Sequence, residues 1–97
     1  MGFRVHRNDD DSVRIDLEGS FSLADHARFT SEVLVGPPAA DYTISCADVT
    51  TIDSSGFGMF LLLRDHARGR NIVIRDIPEN VRRLIERMNF QLIFEVE

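Results

Sequence analysis

Val49-Thr50-Thr51-Ile52-Asp53-Ser54-Ser55-Gly56-Phe57-Gly58-Met59-Phe60 is the stretch on which the reading of the fold turns. β-Branched residues give way to an acid, two serines and a glycine, and then to an apolar run through Leu61, Leu62 and Leu63. A strand and loop hand over to a helix at this point, because short oxygen-bearing side chains satisfy the free N–H groups of a helix start. That end of a helix also tolerates added negative charge best. Either serine could be the cap, and Asp53 could satisfy backbone donors. Gly56 and Gly58 serve tight packing, or open access to the backbone.

Backwards from this stretch, Tyr42, Ile44 and Cys46 alternate with Thr43 and Ser45, the period of a strand. Gly36-Pro37-Pro38 ends a preceding helix. That helix opens at Ser22 with Asp25 three residues on, close to a capping box, and Leu23, Ala27, Thr30 and Leu34 form its expected core stripe. Before it, Phe3 and Val5, then Val13, Ile15 and Leu17, alternate with polar residues around Asn8-Asp9-Asp10-Asp11-Ser12, a β-hairpin with one wet face. Its acidic turn reads as solvated, since it lacks the frame of a calcium loop.

Forwards, a helix is expected from about Ser55 to Arg68, stopping at Gly69. Its first half is apolar nearly all round, so the surface near Phe57 or Met59 is either left for a partner or packed on the sheet. Ile72-Val73-Ile74 reads as a central strand covered on both faces. Pro78 starts a helix whose stripe is Val81, Leu84, Ile85 and Met88, with Asn89 as terminator; Leu92, Phe94 and Val96 suggest a last strand. The order is ββαβαβαβ, an α/β domain spanning 1–97 with a mixed sheet and about three main helices. The turns at Gly19–Ser22, Asp53–Gly56 and Asp76–Pro78 are expected to share one polar rim.

The net charge of −5 argues against a nucleic-acid partner, and the acidity sits in the first half of the chain. All eleven basic residues are arginine, which excludes a lysine-dependent phosphate site or Schiff base. The single cysteine, Cys46, reads as a buried apolar side chain. No segment has the length and apolarity of a signal peptide or membrane span, so a cytoplasmic location without membrane insertion is expected. His6, His26 and His66 have no triad or metal spacing, Ser54 lacks a nucleophile elbow, and Gly56-x-Gly58 is too short for a nucleotide fingerprint. An enzyme, a metal site and a cofactor are therefore not expected.

Asp48-Val49 through Ile52-Asp53-Ser54-Ser55-Gly56-Phe57-Gly58, the apolar helix after it, Gly69 before Ile72–Ile74, and the closing Val81-Arg82-Arg83-Leu84 helix resemble the STAS domain. The likeness is greatest to stand-alone bacterial anti-sigma factor antagonists, or anti-anti-sigma factors. It implies a STAS-type sheet and a non-enzymatic partner-switching phosphoprotein in transcription regulation. Ser54 would be phosphorylated by an ATP-binding serine kinase that is also the anti-sigma factor. The unphosphorylated form would bind that partner, and a phosphatase would reset the cycle. Asp53, Ser55, Gly56, Phe57, Met59, Ser20 and Ser22 are the expected partner-binding residues. Where the family has Gly-Glu-Leu/Ile-Asp, this chain has Gly19-Ser20-Phe21-Ser22, which bears on the identity of its partner. The alternative is a constitutive STAS subunit of a larger assembly, such as a phospholipid-transport complex.

Overall fold

The structure, a computed structural model, describes residues 2–97. Strands β1 (Phe3–Arg7) and β2 (Ser12–Phe21) form the opening hairpin. A 3-10 turn at Leu23–Asp25 and helix α1 (His26–Glu32) lead to β3 (Asp41–Ile52), then α2 (Ser54–Ala67), β4 (Asn71–Arg75), α3 (Glu79–Arg87), a 3-10 turn at Phe90–Leu92, and β5 (Glu95–Val96). The sheet order is β1-β2-β3-β4-β5, antiparallel only at β1–β2 and parallel elsewhere. The expected order and the mixed sheet are both present.

β3 is the longest strand, and its burial shows how the site is positioned. Tyr42, Ile44 and Cys46 are buried at a spacing of two, but the next buried residues are Val49 and Ile52, each three further on. The register against β2 shifts between Asp16 and Glu18 and again between Gly19 and Ser20, each time with an extra residue on β3. Each bulge moves the side-chain phase by one, so β3 keeps one face on the core while twisting toward its end.

The core contains all seven phenylalanines in one array. Phe3, Phe21 and Phe29 pack edge-to-face, Phe57, Phe60, Phe90 and Phe94 form a second group, and Phe21 and Phe60 join them at 6.0 Å between ring centroids. Edge-to-face pairs favour such a geometry beyond area burial alone. The opposite sheet face is polar: Asp16 accepts from His6 Nε2 at 3.0 Å and pairs with Arg14 at 3.1 Å, beside Thr43 and Ser45.

Several expectations are corrected. The buried edge of α1 is Phe29 and Val33, not the stripe Leu23, Ala27, Thr30 and Leu34: Leu23 is 67% exposed, Ala27 and Thr30 face solvent, and Leu34 is half-buried. Helix α1 is short and preceded by a 3-10 turn, whose tighter winding rotates the following residues out of a 3.6-residue phase. β4 lies between β3 and β5, but only Ile72 and Ile74 meet the core; half-buried Val73, level with Thr43, lies on the polar side. Met88 is exposed, and Leu92 falls in a 3-10 turn at 76% exposure instead of a strand. Asn89 does end α3 in the left-handed region, with φ 60°.

Candidate functional site

The parallel ladder of β2 and β3 ends with Phe21 opposite Ile52, and the Asp53 N–H donates to the Phe21 carbonyl at 3.3 Å. This fixes where α2 begins. Asp53 is its N-cap, in extended geometry, and its Oδ1 accepts from the Gly56 N–H at 2.8 Å. The cap is thus the acid and neither serine, and the helix starts one residue earlier than expected. It ends at Ala67, with Arg68 already left-handed at φ 52° before Gly69.

With Asp53 as the cap, Ser54 and Ser55 occupy the first two helical positions. Ser54 is exposed and Ser55 half-buried. Among the described residues neither serine's N–H has an acceptor, since Gly56 uses the Asp53 side chain and Phe57 the Asp53 carbonyl. An exposed hydroxyl therefore stands beside two unsatisfied donors at the positive end of a fourteen-residue helix. An anion attached there meets N–H groups without disturbing the core.

The other expected site residues divide. Gly56 is buried: an added Cβ would lie 2.6 Å from the Phe21 carbonyl oxygen and 2.7 Å from Ile52 Cγ2, so its lack of a side chain is needed for packing. Phe57 and Met59 are buried in the core and do not offer a surface to a partner. The expectation of exposure there is corrected, because the helix turns those positions onto Phe60, Phe90 and the sheet. Ser20 is exposed, and its Oγ accepts from Thr51 Oγ1 at 3.4 Å across the strands. Ser22 and Asp25 form the expected capping-box arrangement: the Ser22 N–H donates to Asp25 Oδ2 at 3.0 Å, and the Asp25 N–H turns back to Ser22, bonding its carbonyl at 2.9 Å. Buried Asp25 also accepts from the Gly2 N–H at 3.0 Å.

The third turn starts lower. β4 pairs with β3 only as far as Arg75 opposite Ser45, while β3 runs on to Ile52. From Asp76 the chain climbs beside the upper part of β3, where Asn80 Nδ2 donates to the Thr50 carbonyl at 3.0 Å.

What sequence reasoning missed is the apolar apron below Ser54. Counting helically from Ser54 gives Gly58, Leu61, Leu62 and Asp65 on one face; Leu61 and Leu62 are 44% and 42% exposed, and a Cβ on Gly58 would meet nothing within 4 Å. A helical projection started at Ser54 would have found it. Cys46 lies in the core, and desolvation together with the nearby Asp76 charge pushes its thiol up to about 12. No group of three or more metal-ligating side chains is found among the described residues, and none of the histidines hydrogen-bonds either serine. No helix of the described residues is long and apolar enough to cross a membrane.

Comparison with known proteins gives three findings. The structure of the anti-sigma factor antagonist SpoIIAA in its unphosphorylated form superposes with a TM-score of 0.76, covering 98% of this chain and 86% of that one, at 14% identity. That likeness shows the fold. The STAS-domain containing protein PA14_20770 of Pseudomonas aeruginosa (strain UCBPP-PA14) is 32% identical over 93 residues, which span 91% of this chain and 90% of its own. Residues 5–94 match the family described as "Mlab, STAS domain". With the mixed five-stranded sheet and the Asp-Ser-Ser-Gly helix start in place, the chain belongs to the STAS domain family.

Proposed function

We propose that the protein is a non-enzymatic partner-switching regulator whose switch is phosphorylation of Ser54. Unphosphorylated, it binds an anti-sigma factor that is also an ATP-binding serine kinase; the phosphorylated form is released, and a phosphatase resets it. The observation that carries this reading is the exposed Ser54 hydroxyl beside the free N–H groups of Ser54 and Ser55. Phosphate adds about −1.5 to −2 charges at pH 7. The domain's own helix start accommodates that charge, whereas a docked surface that desolvates it beside Asp53 does not. The difference is about 2–4 kcal/mol, or about thirty- to several-hundred-fold in affinity.

The docking face consists of Ser54, Ser55 and Asp53 at its upper end, Ser20 and Ser22 on the neighbouring loop, and Gly58, Leu61 and Leu62 below. Leu23, 67% exposed just after Ser22, extends its apolar part. The test is incubation of the purified protein with ATP and its cognate kinase, with the modified residue localised by mass spectrometry. Phosphate on Ser54, lost in Ser54→Ala, and reduced partner retention in Ser54→Asp are expected. Incorporation that persists unchanged in Ser54→Ala, with unaltered retention, overturns the reading.

The loop Gly19-Ser20-Phe21-Ser22, with hydroxyls where the family it resembles has acids, favours one second reading: a constitutive subunit docked on an ATPase of a phospholipid-transport assembly. Stable co-purification indifferent to Ser54→Asp distinguishes it.

A further inference from the structure

At the end of the sheet opposite Ser54, the register places Ser12, Asp41 and Asn71 in one row across β2, β3 and β4. Immediately before Ser12 stands the exposed turn Asp9-Asp10-Asp11, and Asp41 is itself exposed. Immediately before Asn71 stand Arg68 and Arg70, which with Arg64 line a groove of about 530 Å³ together with Asp65, Ile93 and Glu95. Among the described residues these three arginines form no ion pair, although Arg4, Arg14, Arg28, Arg75 and Arg83 each do. Asp9, Asp11 and Asp41 likewise lack a cationic partner, and Asp10 is occupied by the Ser12 N–H and hydroxyl. The nearby Arg7 guanidinium is committed to the Glu32 carbonyl at 2.6 Å.

One end of the molecule thus carries an unmatched acidic half and an unmatched basic half. The Asp9–Asp11 turn is two strands, or about 10 Å, from the arginines and Asp41 is one strand from Arg70, yet no ion pair joins the two halves among the described residues. The loop from α1 to β3 reaches the same end, with Val35 52% exposed. A surface of this kind is complementary to itself under a two-fold rotation, which sets each acidic half over the other copy's arginines.

We infer that this lower end is a self-association surface whose occupant is a second copy of the chain, paired two-fold through Asp9–Asp11 and Asp41 against Arg64, Arg68 and Arg70. The surface is remote from Ser54, so the pairing is independent of the switch and leaves both docking faces free.

Sedimentation equilibrium of the full chain at millimolar concentration tests it. In low salt the expected mass is twice the 11.0 kDa of one chain, falling to that of one chain at about 1 M salt, where screening acts within about 3 Å. Arg64→Glu with Arg70→Glu, and separately Asp9→Arg with Asp41→Arg, each weaken self-association by about tenfold or more. Mixing the two variants restores the dimer, because their charges are then complementary, and this rescue shows that both are folded. A wild-type mass of one chain in low salt overturns the inference. So does failure of the mixture to restore the dimer, or a groove that retains an acidic peptide while the chain stays monomeric.

Discussion

Two glycines two positions apart on α2 have opposite roles. Gly56 is enclosed by the end of β2 and by Ile52, so Gly56→Ala forces backbone and core apart and costs about 1–3 kcal/mol, measurable by urea denaturation. Gly58 is helical, half-buried and unobstructed, and a glycine there costs the helix about 0.5–1 kcal/mol relative to alanine. Gly58→Ala therefore stabilises the fold by about that amount. If a partner docks along Ser54, Gly58, Leu61 and Leu62, the same change weakens retention of the partner in a pull-down while Tm rises. Asp53→Ala removes the cap and costs about 1 kcal/mol of stability, again readable in denaturant. Cys46 offers a chemical check on burial: with its thiol pushed up to about 12, it resists an aromatic disulfide reagent at pH 8 in the native state and reacts once the chain is unfolded.

At the scale of elements, α2 is anchored along one face by aromatic packing. Phe57 and Phe60 bind its buried face to Phe90, Phe94 and Phe21, so the exposed hydroxyl of Ser54 rides on a helix fixed from below. Helix α1 is different, being short and held mainly by Phe29 and Val33. Phe29→Ala is expected to cost about 3–5 kcal/mol, whereas Thr30→Ala changes stability by less than about 0.5 kcal/mol. Thermal denaturation of the pair discriminates the observed buried edge from the stripe read off the sequence. The periodicity of Leu23, Ala27, Thr30 and Leu34 was plain in the sequence. What it did not disclose was the 3-10 turn that shifts the phase.

Across the whole molecule the sheet has one dry face and one wet face. The helices and the phenylalanine array cover the first; charged and hydroxyl side chains solvate the second. Ile74→Thr, on the dry side, is expected to lower stability by about 2–4 kcal/mol, and Val73→Thr, its neighbour on the wet side, by less than about 1 kcal/mol. The two ends of the sheet are equally unlike. The upper end is short of acids on the β2 loop and exposes a serine at a helix start; the lower end separates acid from base across three strands.

Local patterns determined the strand and helix order, the Asn89 terminator, the burial of Cys46 and the place of Ser54 at a strand-to-helix turn. Each rests on properties of neighbouring residues: alternation, the geometry of caps, and the conformations that glycine, asparagine and proline allow. Tertiary structure alone decided that Asp53 and not a serine caps α2, that Phe57 and Met59 turn inward while Leu61 and Leu62 face out, and that Asn80 is brought against the Thr50 carbonyl. Those outcomes depend on two bulges in β3, on where its ladder with β4 stops, and on aromatic side chains far apart in the chain filling one volume. Packing at close range is a property of the assembled surfaces, and no window of sequence contains both sides of the contact.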